Sequence, residues 1–225
     1  MSPSREQQAL LREAGLALSR AGLVHAYGHC SLRLDAESFL VSAPVPLRLL
    51  EGREGIVVRL DAPLPVEVLG EVRLHREIYR RRSDVDGICR AMPPVLVALS
   101  TQGIVPRPRH GLGAYFDTLP LWDDTALLRD DSSAAHAAQA LGNAPALVLR
   151  GNGMVAVGEN LSKAVVLTWL LEDTARVERE VRSMGFDPEQ GLMTPSEISA
   201  RNLWAGAIAE RMWSYLTEDF RPADR

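Results

Sequence analysis

The sequence predicts one α/β domain followed by a C-terminal helix, and three observations lead to this prediction. Short strand-like apolar runs are interspersed with helical patterns along the chain. The chain has 225 residues, of which 46% are hydrophobic, and this is enough apolar material for one sizeable core. No internal repeat interrupts the pattern, and residues 184–193 form the only linker-like stretch. We therefore expect residues 1–225 to form a single domain.

Six helices are predicted from apolar spacing and from the residues at their ends. Ser4 and Asn160 are suitable N-caps, and Thr194-Pro195-Ser196-Glu197 is a capping box with Pro at the first helical position. The last helix carries Trp204 and Trp213, and we expect the segment 194–216 to lie at a subunit interface. The predicted helices cover 5–21, 71–82, 93–100, 132–141, 160–184 and 194–216.

Seven strands are predicted, and most of them are joined by short turns. An antiparallel hairpin is expected early in the chain, a Pro-bearing turn at Ala62-Pro63 separates the next two strands, and the glycines of Gly151-Asn152-Gly153 join the last two. Residues 103–125 are rich in Gly, Pro and His and are expected to be mostly loop. The predicted strands cover 31–35, 38–42, 55–60, 66–69, 85–90, 146–150 and 154–157.

Charge and composition exclude several classes of function. The net charge is −4, and the pI near 5.8 argues against a nucleic-acid-binding domain, which is usually basic. The N-terminal segment is charged and amphipathic, unlike a signal peptide, and no run approaches the roughly 20 apolar residues that a membrane span needs. Cys30 and Cys89 cannot form a disulfide framework, so we expect a soluble protein of the reducing cytoplasm.

Three groups of polar residues are candidates for chemistry. Glu71 and His75 lie four residues apart on one helix face, which suits either an acid–base pair or a helix-stabilising contact. Arg90 lies at a strand-to-helix junction, where α/β proteins often bind anions, although a nearby carboxylate could equally pair with it. The turn around Asn152 could let a ligand approach the backbone, or it could simply form a hairpin.

Four sequence blocks, taken in order, resemble the class II aldolase/adducin family over roughly residues 5–180. The first resembles a G-N-x-S-x-R motif and the second an F-L-I-[ST] strand. The blocks read Gly28-His29-Cys30-Ser31-Leu32-Arg33; Phe39-Leu40-Val41-Ser42; Glu71-x-x-x-His75-x-x-Ile78-Tyr79-Arg80 with Asp86-Gly87-Ile88-Cys89 and Pro93-Pro94; and Leu149-Arg150-Gly151-Asn152-Gly153-Met154 with Asn160-Leu161. The resemblance implies a three-layer α/β/α sandwich with a central mixed, largely antiparallel sheet, and a homotetramer with active sites between subunits.

The resemblance also implies a metal site that this chain has lost. Active members hold a divalent metal with three histidines, and the corresponding positions here are Arg90, Met92 and Asn152. A guanidinium offers no lone pair to a metal, a thioether is a poor zinc ligand, and one neutral amide oxygen is insufficient. We therefore expect neither a metal nor another cofactor at this position.

Further departures affect the sugar-phosphate chemistry that the family performs. His29 replaces the Asn of the first motif, Leu69 and Gly70 replace small serines that help to hold a substrate phosphate, and Trp122 stands where a proton-donating Tyr is often found. The sequence therefore argues against a sugar-phosphate aldolase.

Three hypotheses follow from the resemblance and its departures. The first is a metal-independent lyase that decarboxylates, dehydrates or tautomerises a small carboxylate or activated carbonyl compound. In this hypothesis the Arg90 guanidinium takes the place of the metal cation, Glu71 is the acid–base group and His29 transfers a second proton. The second is a non-catalytic binding or assembly subunit, and the third is a relocated metal site. The residues expected to bind substrate are Ser31, Ser42, His75, Trp122 and Asn152; the histidines available to a relocated site are His25, His29, His75 and His110.

Overall fold

A seven-stranded sheet forms the centre of the computed structural model, which describes residues 2–218. The strands are β1 (His29–Arg33), β2 (Ser38–Val41), β3 (Ile56–Arg59), β4 (Gly87–Ala91), β5 (Leu121–Trp122), β6 (Ala146–Leu149) and β7 (Gly153–Gly158). Their spatial order is β3-β2-β1-β4-β7-β6-β5, and every neighbouring pair is antiparallel except β5 and β6. The predicted mixed, largely antiparallel sheet is confirmed.

Helices cover both faces of this sheet. They are α1 (Arg5–Arg20), α2 (Val72–Arg81), α3 (Pro94–Ser100), α4 (Asp131–Leu141), α5 (Leu161–Ser183), α6 (Pro195–Arg201) and α7 (Ile208–Thr217). One apolar layer lies between the sheet and helices α1, α3, α5 and α7, and a second lies between the sheet and helices α2 and α4. Alternating side chains of one strand enter opposite layers, as Phe39 and Leu40 do. The α/β/α arrangement is therefore confirmed.

Side-chain caps fix where several helices begin. Ser4 and Gln7 form a capping box at α1, and Asn160 accepts a hydrogen bond from Lys163 N at α5. Helix α3 is capped from outside: the buried Glu172 of α5 accepts hydrogen bonds from Val95 N at 3.1 Å and from Leu96 N at 3.0 Å. This contact holds α3, and the end of β4 that precedes it, against α5.

Two sequence predictions about local structure are wrong. Residues 66–69 form a turn instead of a strand, in which Pro65 O accepts a hydrogen bond from Val68 N and the Val66 side chain is 99% exposed. Pro63 and Pro65 cannot donate ladder hydrogen bonds, so this segment is a poor strand despite its apolar residues.

The predicted helix over 194–216 is two helices with a break between them. Helix α6 ends at Arg201, and Gly206 and Ala207, with φ angles of 69° and 56°, lie in the left-handed region directly before α7 begins, so one right-handed helix cannot run through them. The break lets Trp204 stack on Tyr115, with ring centroids 4.1 Å apart, while α7 packs on α1 and α5. Among residues 2–218, no helix is both long and apolar enough to cross a bilayer.

Candidate active site

A cavity of about 530 Å³ lies beside the start of β1, the end of β4 and the turn that precedes β7. The register of the sheet brings these ends together, because His29 of β1 is paired with Arg90 of β4, and Ala91 is paired with Met154 of β7. The lining residues are Ala26, Tyr27, Gly28, His29, Pro44, Val45, Pro46, Leu69, Gly70, Glu71, Arg90, Met92, Leu127, Arg129 and Asn152. A carboxylate, an imidazole and a guanidinium thus face one cavity.

Glu71 reaches the cavity because it is the last residue before α2. It occupies the N-cap position, but its side chain makes no capping hydrogen bond. The carboxylate points across the cavity, where Oε2 lies 4.0 Å from His29 Nε2, and the side chain is 22% exposed. A partly exposed carboxylate of this kind can exchange protons with solvent as well as with a bound molecule.

His29 is buried between Glu71 and a second histidine. Its Nδ1 lies 2.9 Å from His75 Nε2, whereas its Nε2 is buried and has no hydrogen-bond partner within residues 2–218. Burial, and secondarily the positive charge of Arg90, lowers the pKa of His29 to about 3. The ring is therefore neutral at pH 7 and presents one unpartnered nitrogen to the cavity.

Arg90 is a buried cation that forms no ion pair with another residue of the described range 2–218. The residue is 4% exposed, and Nη1 donates a hydrogen bond to Ala91 O at 2.7 Å. Within the described residues no ion pair to this guanidinium is found, and burial lowers the pKa of Arg90 to about 10 against the opposing influence of Glu71. A buried charge without an ion pair is costly, and a bound anion would lower that cost.

His75 and Ser31 lie behind His29 and do not line the cavity. Ser31 Oγ is 2.7 Å from His75 Nδ1 and 2.9 Å from the Tyr79 hydroxyl, so four side chains form a continuous hydrogen-bonded chain. Tyr79 was missed as a site residue by sequence reasoning. A signal existed, because Glu71, His75 and Tyr79 recur every four residues along one face of α2.

Of the remaining predicted substrate-binding residues, one lines the cavity and two do not. Asn152 lines the cavity, held there by a turn in which Gly153 has a φ angle of 80° and packs so closely that a Cβ would overlap Ala91 O. Ser42 Oγ instead accepts a hydrogen bond from Cys30 N at 3.3 Å, and Trp122 lies in β5. Neither Ser42 nor Trp122 lines the cavity. Sequence reasoning also missed Arg129 and Tyr27, for which no local signal exists.

The donor set at the family's metal position does not fit a metal ion. The side chains there are a guanidinium, a thioether and a carboxamide, and the guanidinium already uses one N–H on Ala91 O. Of the histidines considered for a relocated site, His29 contacts His75, and His110 pairs with Asp173 at 3.1 Å. Within residues 2–218, no group of three or more His, Cys, Asp or Glu side chains is arranged to hold a metal.

We expect the neutral, buried His29 to make folding sensitive to acid. Its pKa is about 3 in the folded protein and near the ordinary 6.5 in the unfolded chain, so the unfolded state binds more protons between these values. The free energy of unfolding then has its full value above pH 6.5. As the pH falls from 6.5 toward 3, this residue lowers it by about 1.4 kcal/mol per pH unit. Urea unfolding of wild type and His29→Asn between pH 4 and 7 checks this. The variant should show the shallower pH dependence, and equal slopes would contradict the assignment.

An α/β/α sandwich with a polar cavity at one edge of its mixed sheet is the class of protein that the fold and the site define, and comparison with known proteins identifies the family. Residues 9–178 match the Class II Aldolase and Adducin N-terminal domain, so the chain belongs to the class II aldolase and adducin family. The match covers the sheet and most of its helices, including every predicted catalytic residue. The resemblance described from four sequence blocks is therefore confirmed.

Curated proteins similar to this chain include decarboxylases. The 3,4-dihydroxyphthalate decarboxylase of Arthrobacter keyseri is 28% identical in an alignment that covers 70% of this chain and 71% of that protein. The enzyme of the same name from Terrabacter sp. (strain DBF63) is 26% identical over 80% of this chain and 82% of its own. Curated relatives thus include lyases that remove a carboxyl group.

Solved structures share the fold. An L-fuculose-1-phosphate aldolase from Thermus thermophilus superimposes with a TM-score of 0.73 at 30% identity, covering 81% of this chain and 97% of that one. YgbL from Klebsiella pneumoniae gives a TM-score of 0.76 at 23% identity over 89% of this chain and all of that one, which shows the fold alone. The class II aldolase-like architecture is confirmed.

Proposed function

We propose that this protein is a lyase that decarboxylates a small organic acid without a metal ion, with Arg90 as the fixed cation of its active site. The observation that carries the proposal is the buried guanidinium of Arg90, which faces a cavity together with Glu71 and His29 and forms no ion pair with another described residue. The curated decarboxylases among the relatives favour decarboxylation over dehydration or tautomerisation.

Arg90 is suited to bind a developing enolate or a carboxylate. A guanidinium presents parallel N–H groups that match the two oxygens of such an anion. It polarises a carbonyl less strongly than a divalent cation does, and decarboxylation of an activated acid is easier chemistry than aldol cleavage. The substrate must therefore carry its own electron sink, such as a β-carbonyl group or a hydroxylated aromatic ring.

The reaction needs two events that the site residues can support. The bond to the carboxyl carbon breaks, carbon dioxide leaves, and the bonding electron pair moves onto the substrate oxygen held by Arg90. The carbon that lost the carboxylate then gains a proton from Glu71, which is replenished from solvent through its exposed side. One carboxylate and one proton are consumed, and one carbon dioxide and one C–H bond are formed.

The residues at the wall and the mouth of the cavity limit which substrates it can bind. Apolar side chains of Val45, Leu69 and Met92 line it beside Tyr27, which suits a flat or aromatic body. Arg129 is exposed at the rim and offers a second cation. These features support an aromatic acid with a second acidic substituent, and 3,4-dihydroxyphthalate is the first compound to test.

A substrate panel tests the proposed function directly. The purified protein is incubated with 3,4-dihydroxyphthalate, related hydroxylated aromatic acids and a β-keto acid, and carbon dioxide and product are measured. Turnover of at least one acid is expected, whereas L-fuculose 1-phosphate should not be cleaved. Binding of such an acid without turnover would overturn the proposal and favour the non-catalytic alternative, which the loss of all three family metal positions also favours.

We expect wild-type protein to hold only substoichiometric metal, because Arg90, Met92 and Asn152 cannot replace three histidines. Elemental mass spectrometry of untagged protein, dialysed without chelator, measures this, and a chelator should leave turnover unchanged.

The matched control is the triple variant Arg90→His, Met92→His and Asn152→His, which restores the three family ligands and should bind zinc. Stoichiometric zinc, manganese or iron in the wild type, or loss of turnover with chelator, would contradict a metal-independent mechanism.

We also propose a cytoplasmic homotetramer, as the resemblance implies. Cys30 and Cys89 are buried free thiols in neighbouring strands, which suits a reducing compartment. In the C-terminal segment 194–216, Leu203 is more than half exposed whereas the adjacent Trp204 packs against the core, and an exposed large apolar residue of this kind suits a subunit contact. Light scattering after size-exclusion chromatography measures the assembly, and a stable monomer would refute the tetramer.

A further inference from the structure

A hydrogen-bonded chain of four buried side chains ends at the cavity. It runs from the Tyr79 hydroxyl to Ser31 Oγ at 2.9 Å, from Ser31 Oγ to His75 Nδ1 at 2.7 Å, and from His75 Nε2 to His29 Nδ1 at 2.9 Å. All four residues are at most 3% exposed. Each link can in principle be donated from either side, so the direction of the chain is a question of where its hydrogens can go.

The far end of the chain fixes the direction. Among residues 2–218, Ser31 Oγ is the single hydrogen-bond partner of the Tyr79 hydroxyl, and burial raises the pKa of Tyr79 so that the hydroxyl keeps its hydrogen. A buried hydroxyl must donate that hydrogen or leave it unsatisfied, so Tyr79 donates to Ser31. Ser31 then has its own hydrogen to give, and its remaining partner is His75 Nδ1.

The two histidines transmit this direction to the cavity. Burial lowers the pKa of both rings, that of His29 to about 3, so each ring carries a single N–H. Because His75 Nδ1 accepts from Ser31, its hydrogen is on Nε2 and is donated to His29 Nδ1. The hydrogen of His29 is then on Nε2, the atom that has no partner in the described structure.

The opposite direction conflicts with two separate features. It would leave the Tyr79 hydrogen buried without an acceptor. It would also turn the lone pair of His29 Nε2 toward the Glu71 carboxylate, whose Oε2 is 4.0 Å away. The His29 end and the Tyr79 end of this hydrogen-bonded chain therefore favour the same direction of donation.

We propose that Tyr79, Ser31 and His75 hold His29 in the Nε2–H tautomer, so that His29 donates a hydrogen bond into the cavity instead of acting as a base. The catalytic consequence rests on the proposed function: His29 Nε2–H stabilises the substrate oxygen beside Arg90, and Glu71 alone carries the proton to carbon. His75, Ser31 and Tyr79 are positioning residues, since they act through His29 and touch no reacting atom.

Solid-state NMR of wild-type protein labelled with ¹⁵N-histidine tests the tautomer without any substrate. At pH 7 we expect the shift of a protonated nitrogen for Nε2, and of an unprotonated nitrogen for Nδ1, in both His29 and His75. His29→Asn and His75→Gln assign the two signal pairs. The reverse pattern in His29, or a doubly protonated ring, would overturn the proposal even if the protein decarboxylates acids, and absence of turnover would leave this result intact.

A matched pair of variants tests the positioning role. In His75→Gln the amide N–H can donate to His29 Nδ1 while its oxygen accepts from Ser31, whereas His75→Leu removes both contacts at the same buried position. On a substrate that the wild type turns over, we expect His75→Leu to lower kcat about tenfold or more with KM little changed, and His75→Gln to restore most of the loss. Equal kcat values for the two folded variants would refute the role. Circular dichroism verifies folding, and if His75→Leu does not fold, the wild-type spectrum still decides.

Discussion

Replacing Arg90 with Gln is expected to remove nearly all turnover while making the folded protein more stable. The variant keeps a polar side chain of similar reach but loses the charge that stabilises a developing anion. Removing one such group from a preorganised site typically costs about 10²–10³ in rate. Because burial holds the pKa of Arg90 near 10, the fold accommodates the cation less well than water does. Its removal should raise the free energy of unfolding by about 1–3 kcal/mol.

Loss of turnover together with a gain in stability distinguishes a functional arginine from a structural one. Arg53→Gln, which removes an exposed charge outside the cavity lining, should leave both kcat/KM and stability unchanged. Arg90→Lys keeps the charge without the planar fork and should fall between wild type and Arg90→Gln. Urea unfolding and steady-state kinetics measure the two effects. A strong loss of stability in Arg90→Gln with retained kcat/KM would mean that Arg90 only supports the sheet.

Glu71→Gln is expected to lower kcat by about 10²–10⁴ with little change in KM. The substitution preserves shape but removes the proton that decarboxylation must deliver to carbon. Stability should change little, because the Glu71 side chain makes no capping hydrogen bond at α2 and is partly exposed. Kinetics under saturating substrate and thermal unfolding of the same preparations provide the measurement.

Glu67→Gln is the matched control for this variant. Glu67 is an exposed carboxylate in the preceding turn and does not line the cavity, so its neutralisation should leave kcat unchanged. If Glu71→Gln retained wild-type kcat, the proton would have to come from another group, and the proposed division of roles between Glu71 and His29 would be wrong.

Most of the fold was predictable because local patterns and caps agree with the tertiary arrangement. The capping boxes at Ser4 and Thr194 and the N-cap at Asn160 mark helix starts where the structure has them. The failures occurred where backbone constraints outweighed apolar spacing. Residues 66–69 follow Pro63 and Pro65 and form a turn, and the last predicted helix is interrupted over residues 202–207, where Gly206 and Ala207 have left-handed backbone.

The candidate site was predictable to a smaller extent. Glu71, Arg90, His29 and Asn152 were selected by motif, and the structure brings all four to one cavity. Ser42 and Trp122 were selected on the same basis, yet Ser42 is used in a contact to the backbone of Cys30 and Trp122 lies away from the lining. A motif records which residue occupies a position, but the orientation of its side chain depends on neighbours remote in sequence.

Residue types and their order were enough to predict the family and the α/β/α architecture, and they show Arg, Met and Asn at the three positions that the resemblance assigns to metal-binding histidines. They could not establish that Arg90 is buried with no ion pair to another described residue, that His29 contacts His75 across 46 residues of chain, or that Tyr79 begins the chain of hydrogen bonds. Each of these three features depends on the pairing of β1 with β4 and on the packing of α2 against the sheet. Such contacts join distant segments, and their burial sets the charge and proton positions of the site.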